Sequence, residues 1–329
     1  MFALQEDILP NLIDWQKHFI KRGVLPKMAD KLIVKSSPHR HKGVFTSNIM
    51  LDVLIALIPA VVAATVIFGF GALVSIVFSA AFSLLCEYVF NLVIKKKQTV
   101  GDLSALVTGV LLALNVPAKL PLYMLLIGDF FAIIIVKALF GGMGKNFANP
   151  AMTARIVLTI AFPSAMSTFI EPFSDAVASA TPLASKSASY MDLFLGNTAG
   201  SIGEVSALAL IIGGIYLIAK KVISPVIPVS FVGTVALISL ILNEDPLYAV
   251  LSGGLLLGAI FMATDYVTSP ITTRGKWIFG IGLGVLTALI RNFGSYPEGV
   301  SFAFLLMNIC TPLIEKIPSK QPFGAGGAK

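Results

Sequence analysis

The sequence predicts an all-α polytopic membrane protein, with about ten transmembrane helices in two inverted five-helix repeats and helices broken near the midplane. Three observations carry that expectation. Of 329 residues, 56% are hydrophobic and only 12% charged, about half the charged share of an ordinary soluble domain. Long apolar runs recur along the chain, separated by short loops that hold most of the Lys and Arg. Segments in the two halves also resemble each other at a nearly constant offset.

Residues 1–45 mix charged and apolar side chains, and "LQEDILPNLIDWQKHFIKR" has the pattern of an interfacial amphipathic helix interrupted near Pro10. No basic start followed by an apolar core is visible there, so no cleavable signal peptide is expected. Apolar blocks follow at 53–70, 72–94, 103–116, 121–139, 150–163, 204–219, 224–242, 247–264, 276–291 and 299–314. Some are too short to cross roughly 30 Å of hydrocarbon unaided. With the N-terminus inside, Lys95–Lys97, Lys137 with Lys145, Lys220 with Lys221, Arg274 with Lys276, and Lys316 with Lys320 all fall on the inner side. That satisfies the positive-inside rule with both termini cytoplasmic and the 164–203 loop outside. The expected organisation is a cytoplasmic segment 1–45, a first repeat 46–163, an outer loop 164–203, a second repeat 204–316 and a cytoplasmic tail 317–329.

The net charge of +7 sits in the first 45 residues and the short loops, which is a topology signal and no nucleic-acid stripe. His18, His39 and His41 all lie in the N-terminal segment, so no Ser–His–Asp or Cys–His arrangement with the apolar core is expected. Cys86 and Cys310 lie in separate apolar blocks without metal-ligand spacing, and no metal site is expected.

"TGVLLALNVPAKLP" from Thr108 resembles "LGAIFMATDYVTSP" from Leu257, an offset of 149 (108 to 257). "NFANPAMTARIVL" from Asn146 resembles "NFGSYPEGVSFAFLL" from Asn292, an offset of 146 (146 to 292). The offset carries the third block onto the eighth and the fifth onto the tenth. A shift by an odd number of spans makes the halves run in opposite directions, as in inverted-repeat transporters and channels. Both copies of the first pair are interrupted by polar residues and proline. The breaks read either as a central site between the repeats or as ordinary starts of loops.

Three carboxylates lie in or beside apolar blocks and are ion-path candidates: Glu87, Asp129 and Asp265. Glu87 lies two turns from Lys95 and alternatively snorkels to the interface. Asp129 has no neighbour in sequence to neutralise it. Asp265, at the break in the eighth block, either coordinates a cation or caps a helix. The glycine-rich "FGGMGKNFANP" at 140–150 lacks the strand–loop–helix setting of a phosphate loop and reads as a tight turn, with Lys145 and Arg155 as inner-side anchors.

"GGMGKNFANPAMTAR", "FMATDYVTSP", "RNFGSYPEG" and "DAVASATPL" together resemble the family of Rnf D subunits. Those are membrane subunits of the ferredoxin:NAD oxidoreductase complex. The family also includes the B subunits of sodium-pumping NADH:quinone reductases. The resemblance spans about residues 37–318, and the short N-terminal segment favours the Rnf branch. It implies FMN esterified through its phosphate to a threonine by a separate flavin transferase. The family pattern Asp-Gly-x-Ser/Thr-Gly/Ser-Ala-Thr maps onto residues 175–181, with Asp175, Ser179, Ala180 and the acceptor Thr181 agreeing and Ala176 and Ala178 departing. The resemblance further implies an electron relay on the outer side coupled to Na⁺ or H⁺ export. It also implies work beside the A, B, C, E and G subunits in a bacterial or archaeal cytoplasmic membrane, and in some relatives a non-covalent riboflavin. Without the resemblance, an inverted-repeat solute channel or a cofactor-free scaffold protein would fit the residues equally well.

Overall fold

The computed structural model describes residues 45–173, 177–178, 182–185, 188–294 and 299–317. Helices dominate, and the apolar blocks of the sequence are where they lie. The first two, α1 (Thr46–Phe68) and α2 (Phe70–Val93), have 23 and 24 residues. At 1.5 Å per residue each is about 35 Å long, enough to cross a bilayer core. Then α3 (Ser104–Leu114) has only 11 residues, about half a span. The next, α4 (Leu122–Phe130), continues without a break into a π-helical stretch, Phe131–Ala138. After it comes α5 (Pro150–Ala161), which has proline in its first turn and the Asn149 side chain accepting from Ala151 and Met152 amides at its start.

The 164–203 segment is more ordered than a plain connector. It contains the single turn α6 (Pro163–Met166) and a two-residue antiparallel ladder, β1 (Phe169–Ile170) with β2 (Val177–Ala178), pairing Phe169 with Ala178. The short helices α7 (Pro182–Ser185) and α8 (Tyr190–Leu195) complete it. Pro182 opens α7, which suits a residue whose missing N–H costs nothing at a helix start.

The second half comprises α9 (Ala207–Ala219), α10 (Val226–Ile241), α11 (Pro246–Leu251), α12 (Leu255–Leu257, extended by π-helical Gly258–Met262), α13 (Thr273–Phe293) and α14 (Val300–Glu315). The single span expected at 247–264 is therefore two helical pieces, parted at Ser252-Gly253-Gly254. Gly253 sits at φ +67°, where a side chain would be strained, and this ends α11. The turn at 140–150 is tight, as expected, with positive φ at Gly141, Gly142 and Gly144.

Outward faces are apolar: Val66 is 64% and Leu240 65% exposed, and Val62, Val77 and Leu313 are likewise open. A soluble surface does not expose apolar side chains on this scale. Among the described residues α1, α2 and α13 are long and apolar enough to cross a membrane. The interior holds Leu57, Leu112, Leu125, Phe231, Phe279 and Phe304, all at most 1% exposed, with Phe231 edge-on to Phe304. Polar groups are buried there too, and they organise the rest of the molecule.

Candidate ion and redox sites

The first constellation grows from the spacing in α2. In "SIVFSAAFSLLCEYVFN", Ser75, Ser79, Ser83, Glu87 and Asn91 recur every fourth residue, which places them on one helix face. All five are buried, and the row spans about 24 Å of helix. It faces α3 and α4. Ser79 Oγ lies 2.7 Å from Asp129 Oδ1 on α4 and 2.9 Å from the Gly109 carbonyl on α3. Ser83 Oγ lies 3.1 Å from the same Oδ1. Asp129 is 0% exposed, and its Oδ2 has no hydrogen-bond partner among the described residues. Gly109 makes this contact possible: a Cβ there would stand 2.7 Å from Ser83 Oγ and 2.8 Å from the Ser79 carbonyl.

One turn beyond Ser83, Glu87 Oε1 accepts from Lys137 Nζ at 3.2 Å and from the Thr99 hydroxyl at 2.8 Å. Thr99 Oγ1 in turn accepts from Asn91 Nδ2 at 3.0 Å. Lys137, carried by the π-helical stretch, also donates to Ser104 Oγ, which donates to Asp102. Two expectations are corrected here. Glu87 does not snorkel toward Lys95, because Lys137 supplies its counter-charge inside the helix packing. Lys137 is no inner-loop charge, since it is 4% exposed and paired inside the helix packing.

The second constellation joins the two broken segments. Past the end of α3, Asn115 Oδ1 accepts from Arg155 Nη1 at 3.0 Å, and Arg155 also pairs with Glu204 and Ser201. The carbonyls freed by the break are satisfied: Ile202 N donates to Val116 O and Gly203 N to Leu114 O. From the other break, the Met262 carbonyl accepts from Asn149 Nδ2 at 3.5 Å, and Met262 Sδ lies 3.7 Å from Asn115 Nδ2. The breaks therefore meet each other rather than starting separate loops. The expectation of Arg155 as an inner-side anchor is also corrected. It is 3% exposed because α5 carries it between the two breaks.

Asp265 borders the second break, where its amide donates to the Met262 carbonyl at 3.3 Å. Its Oδ1 accepts from Val267 N at 3.3 Å and its Oδ2 from Thr268 Oγ1 at 3.0 Å, a local side-chain turn that opens no helix. It lines, with Lys137, Ser104, Thr108 and Asn149, a cavity of about 110 Å³.

The expected flavin-motif residues Asp175, Ser179, Ala180 and Thr181 lie outside the described residues. Their described neighbour Pro182 is anchored: its carbonyl accepts from Tyr248 Oη at 2.8 Å. Beside it opens a cavity of about 680 Å³, lined among others by Leu183, Ser189, Tyr190, Tyr248, Arg291 and Asn292. The Tyr190 hydroxyl bonds Asp245, and this bond holds the Asp245 carboxyl below the usual range and raises the Tyr190 phenol. Asp245 also caps α11 by accepting from Leu247 and Tyr248 amides. Arg291 donates to the Ala249 and Ser252 carbonyls, closing the gap between α11 and α12.

Sequence reasoning finds Glu87 and Asp129 but misses Ser79, Ser83, Lys137, Asn115 and Glu204. The fourfold spacing in α2 is visible in the sequence and would find the serines. The pairings of Lys137 and Arg155 leave no local signal.

An apolar helical shell around buried ion pairs and carboxylates defines the class: a membrane protein built to hold charge away from lipid. More narrowly, the chain belongs to the NQR2, RnfD, RnfE family, whose profile matches residues 33–324. A relative from Acetobacterium woodii, the D subunit of a Na⁺-translocating ferredoxin:NAD⁺ oxidoreductase complex, is 46% identical over 303 residues, covering 89% of this chain and 95% of its own. One from Clostridium ljungdahlii, the D subunit of a proton-translocating ferredoxin:NAD⁺ oxidoreductase complex, is 42% identical over 316 residues, with 88% and 96% covered. The D subunit of the ion-translocating oxidoreductase complex of Actinobacillus succinogenes is 36% identical, with 88% and 97% covered.

Proposed function

We propose that this chain is the D-type membrane subunit of an ion-translocating ferredoxin:NAD oxidoreductase, relaying electrons through FMN esterified to Thr181 and coupling that flow to Na⁺ or H⁺ export. The observation that carries the reading is the match to two such subunits at 46% and 42% identity over nearly whole chains. In this reading the ten apolar blocks lie in the cytoplasmic membrane as two inverted five-helix repeats, 46–163 and 204–316, with helices broken near the midplane. Both termini are cytoplasmic and the 164–203 loop lies outside. The meeting of the two breaks at Asn115 and Met262 supports that arrangement, since inverted repeats place their broken helices against each other.

The residues present suit the flavin. The cavity beside Pro182 is in the size range of small-molecule sites and combines aromatic with polar walls. Bound there, FMN supplies electron transfer. The chain's own part is to hold the loop: Tyr248 fixes the carbonyl of the residue that follows Thr181. Tyr190 and Asp245 close one wall. A flavin transferase would attach the group, the remaining Rnf subunits would deliver and remove electrons, and a non-covalent riboflavin belongs to the same family expectation. Glu87 and Asp129 on the α2–α3–α4 seam are the ion-path residues in this reading. Asp265, engaged in its own turn, is the weakest of the three.

Denaturing gels test it. Protein from cells that contain the transferase is expected to fluoresce as flavin, and Thr181→Ala to abolish the signal. A dark wild-type band would refute covalent flavin, and a fluorescent variant would refute the site.

A further inference from the structure

We propose that Asp129 is a proton-exchanging carboxyl, loaded and unloaded through the hydroxyls of Ser79 and Ser83 with the Gly109 carbonyl as terminal acceptor; this rests on reading the chain as part of an ion-translocating complex.

Asp129 is desolvated and short of partners. It is fully buried, it meets two hydroxyls on one oxygen, and its other oxygen has no hydrogen-bond partner among the described residues. The titratable or charged groups on the elements packed around it are accounted for elsewhere. Glu87 on α2 and Lys137 farther along its own helix pair with each other. Arg155 on α5 pairs with Glu204. Cys86 on α2 is a buried thiol. In α3 there is no titratable side chain. An ionised carboxylate in such a place, with no cation against it, is among the costliest arrangements a membrane interior can hold.

Hydroxyl arithmetic then favours a proton. Ser79 owns one proton and stands within hydrogen-bond distance of two acceptors, Asp129 Oδ1 and Gly109 O. When Asp129 is ionised, Ser79 and Ser83 both donate to Oδ1. When it is protonated, Oδ1–H donates to Ser79 Oγ, and Ser79 turns its own proton to Gly109 O. The second state leaves neither of these two donors without an acceptor, and the switch between the two needs only a hydroxyl rotation. Loading breaks an O–H bond of a hydronium ion and forms one on Asp129, leaving neutral water; release returns the proton from Asp129 to water as hydronium, and no electrons move. Oxygen separations of 2.7–3.1 Å already match hydrogen bonds, with no gap between them for a larger ion. The row of Ser75, Ser79, Ser83, Glu87 and Asn91 extends this polar face along α2 on both sides of Asp129.

The test uses the whole complex in sealed vesicles, with dicyclohexylcarbodiimide as probe because it labels protonated carboxyls in apolar surroundings. Asp129 is expected to be labelled, more so as pH falls and equally with or without Na⁺. Asp129→Asn is expected to lower the ions moved per electron transferred about tenfold or more, with the flavin content of the chain unchanged. The Ser79→Ala/Ser83→Ala variant, which removes both hydroxyls and keeps Asp129, should lower both labelling and coupling. Wild-type pumping with equal pumping by Asp129→Asn would overturn the proposal, as would labelling that Na⁺ suppresses, which would make sodium the occupant. A wild-type complex that transfers electrons but moves no ions would instead sink the underlying reading of the chain, and the proposal with it.

Discussion

Replacing Lys137 with methionine removes the ammonium that faces Glu87 while leaving the helix volume nearly unchanged. Glu87 and Lys137 are 5% and 4% exposed and 3.2 Å apart. Removing one member of a buried pair costs about 3–5 kcal/mol, because a desolvated charge is left behind. Glu87 keeps the Thr99 hydroxyl at 2.8 Å, so the low end applies, about 3 kcal/mol, or roughly a hundredfold in the unfolding equilibrium. Glu87→Gln added to Lys137→Met removes the stranded charge, and the double variant should lie within about 1 kcal/mol of wild type. The assay is reversible unfolding of the chain in mixed micelles, run as a double-mutant cycle with an expected coupling of at least about 2 kcal/mol, since Glu87→Gln alone strands the buried Lys137 charge. Additive single effects, or a Lys137→Met loss below about 1 kcal/mol, would refute the reasoning that this pair is a closed, mutually dependent unit.

Three further outcomes are expected. Gly109→Ala drives a Cβ to 2.8 Å from the Ser79 backbone carbonyl, so α3 must move off α2; the expected loss is about 1–3 kcal/mol in the same unfolding assay. Gly233→Ala, which meets open space, serves as the near-neutral comparison. The Asp245 carboxyl is held below its ordinary value first by Tyr190, so its capping of α11 stabilises above the unfolded Asp range and is lost as pH falls through the lowered folded value. Amide exchange at Leu247 and Tyr248 should therefore lose protection only in acid, and Asp245→Asn should remove that pH dependence. Met262→Ala should loosen the contact between the two breaks, raising amide exchange at Asn149 and Asn115 without altering that at Thr99.

Much of the fold is legible because it is written locally. The apolar blocks end at Gly, Pro and Lys clusters, so helices such as 70–93 and 300–315 lie within a few residues of expectation. The break at Ser252-Gly253-Gly254 is also written there, but uniform hydropathy through Leu247–Leu257 masks it. Charge pairing is not legible. Lys137 reads as an inner-loop charge and Arg155 as an inner-side anchor because basic residues near span ends usually are. Their partners Glu87 and Glu204 lie 50 and 49 residues away in sequence. Asp129 stands out as anomalous from its apolar neighbourhood alone, while the hydroxyls that receive it sit on another helix. For the flavin loop the motif carries the whole expectation, and what the structure adds is the Tyr248 anchor on Pro182 and the cavity beside it.

One peptide carries the most direct test of covalent flavin at Thr181. Digestion of the chain purified from cells containing the flavin transferase, followed by fragmentation mass spectrometry of the segment 172–189, reads the modification residue by residue. The expected result is FMN linked through its phosphate to Thr181 in most copies. An unmodified segment, or the group on Ser179, Ser185, Ser187 or Ser189, would contradict it.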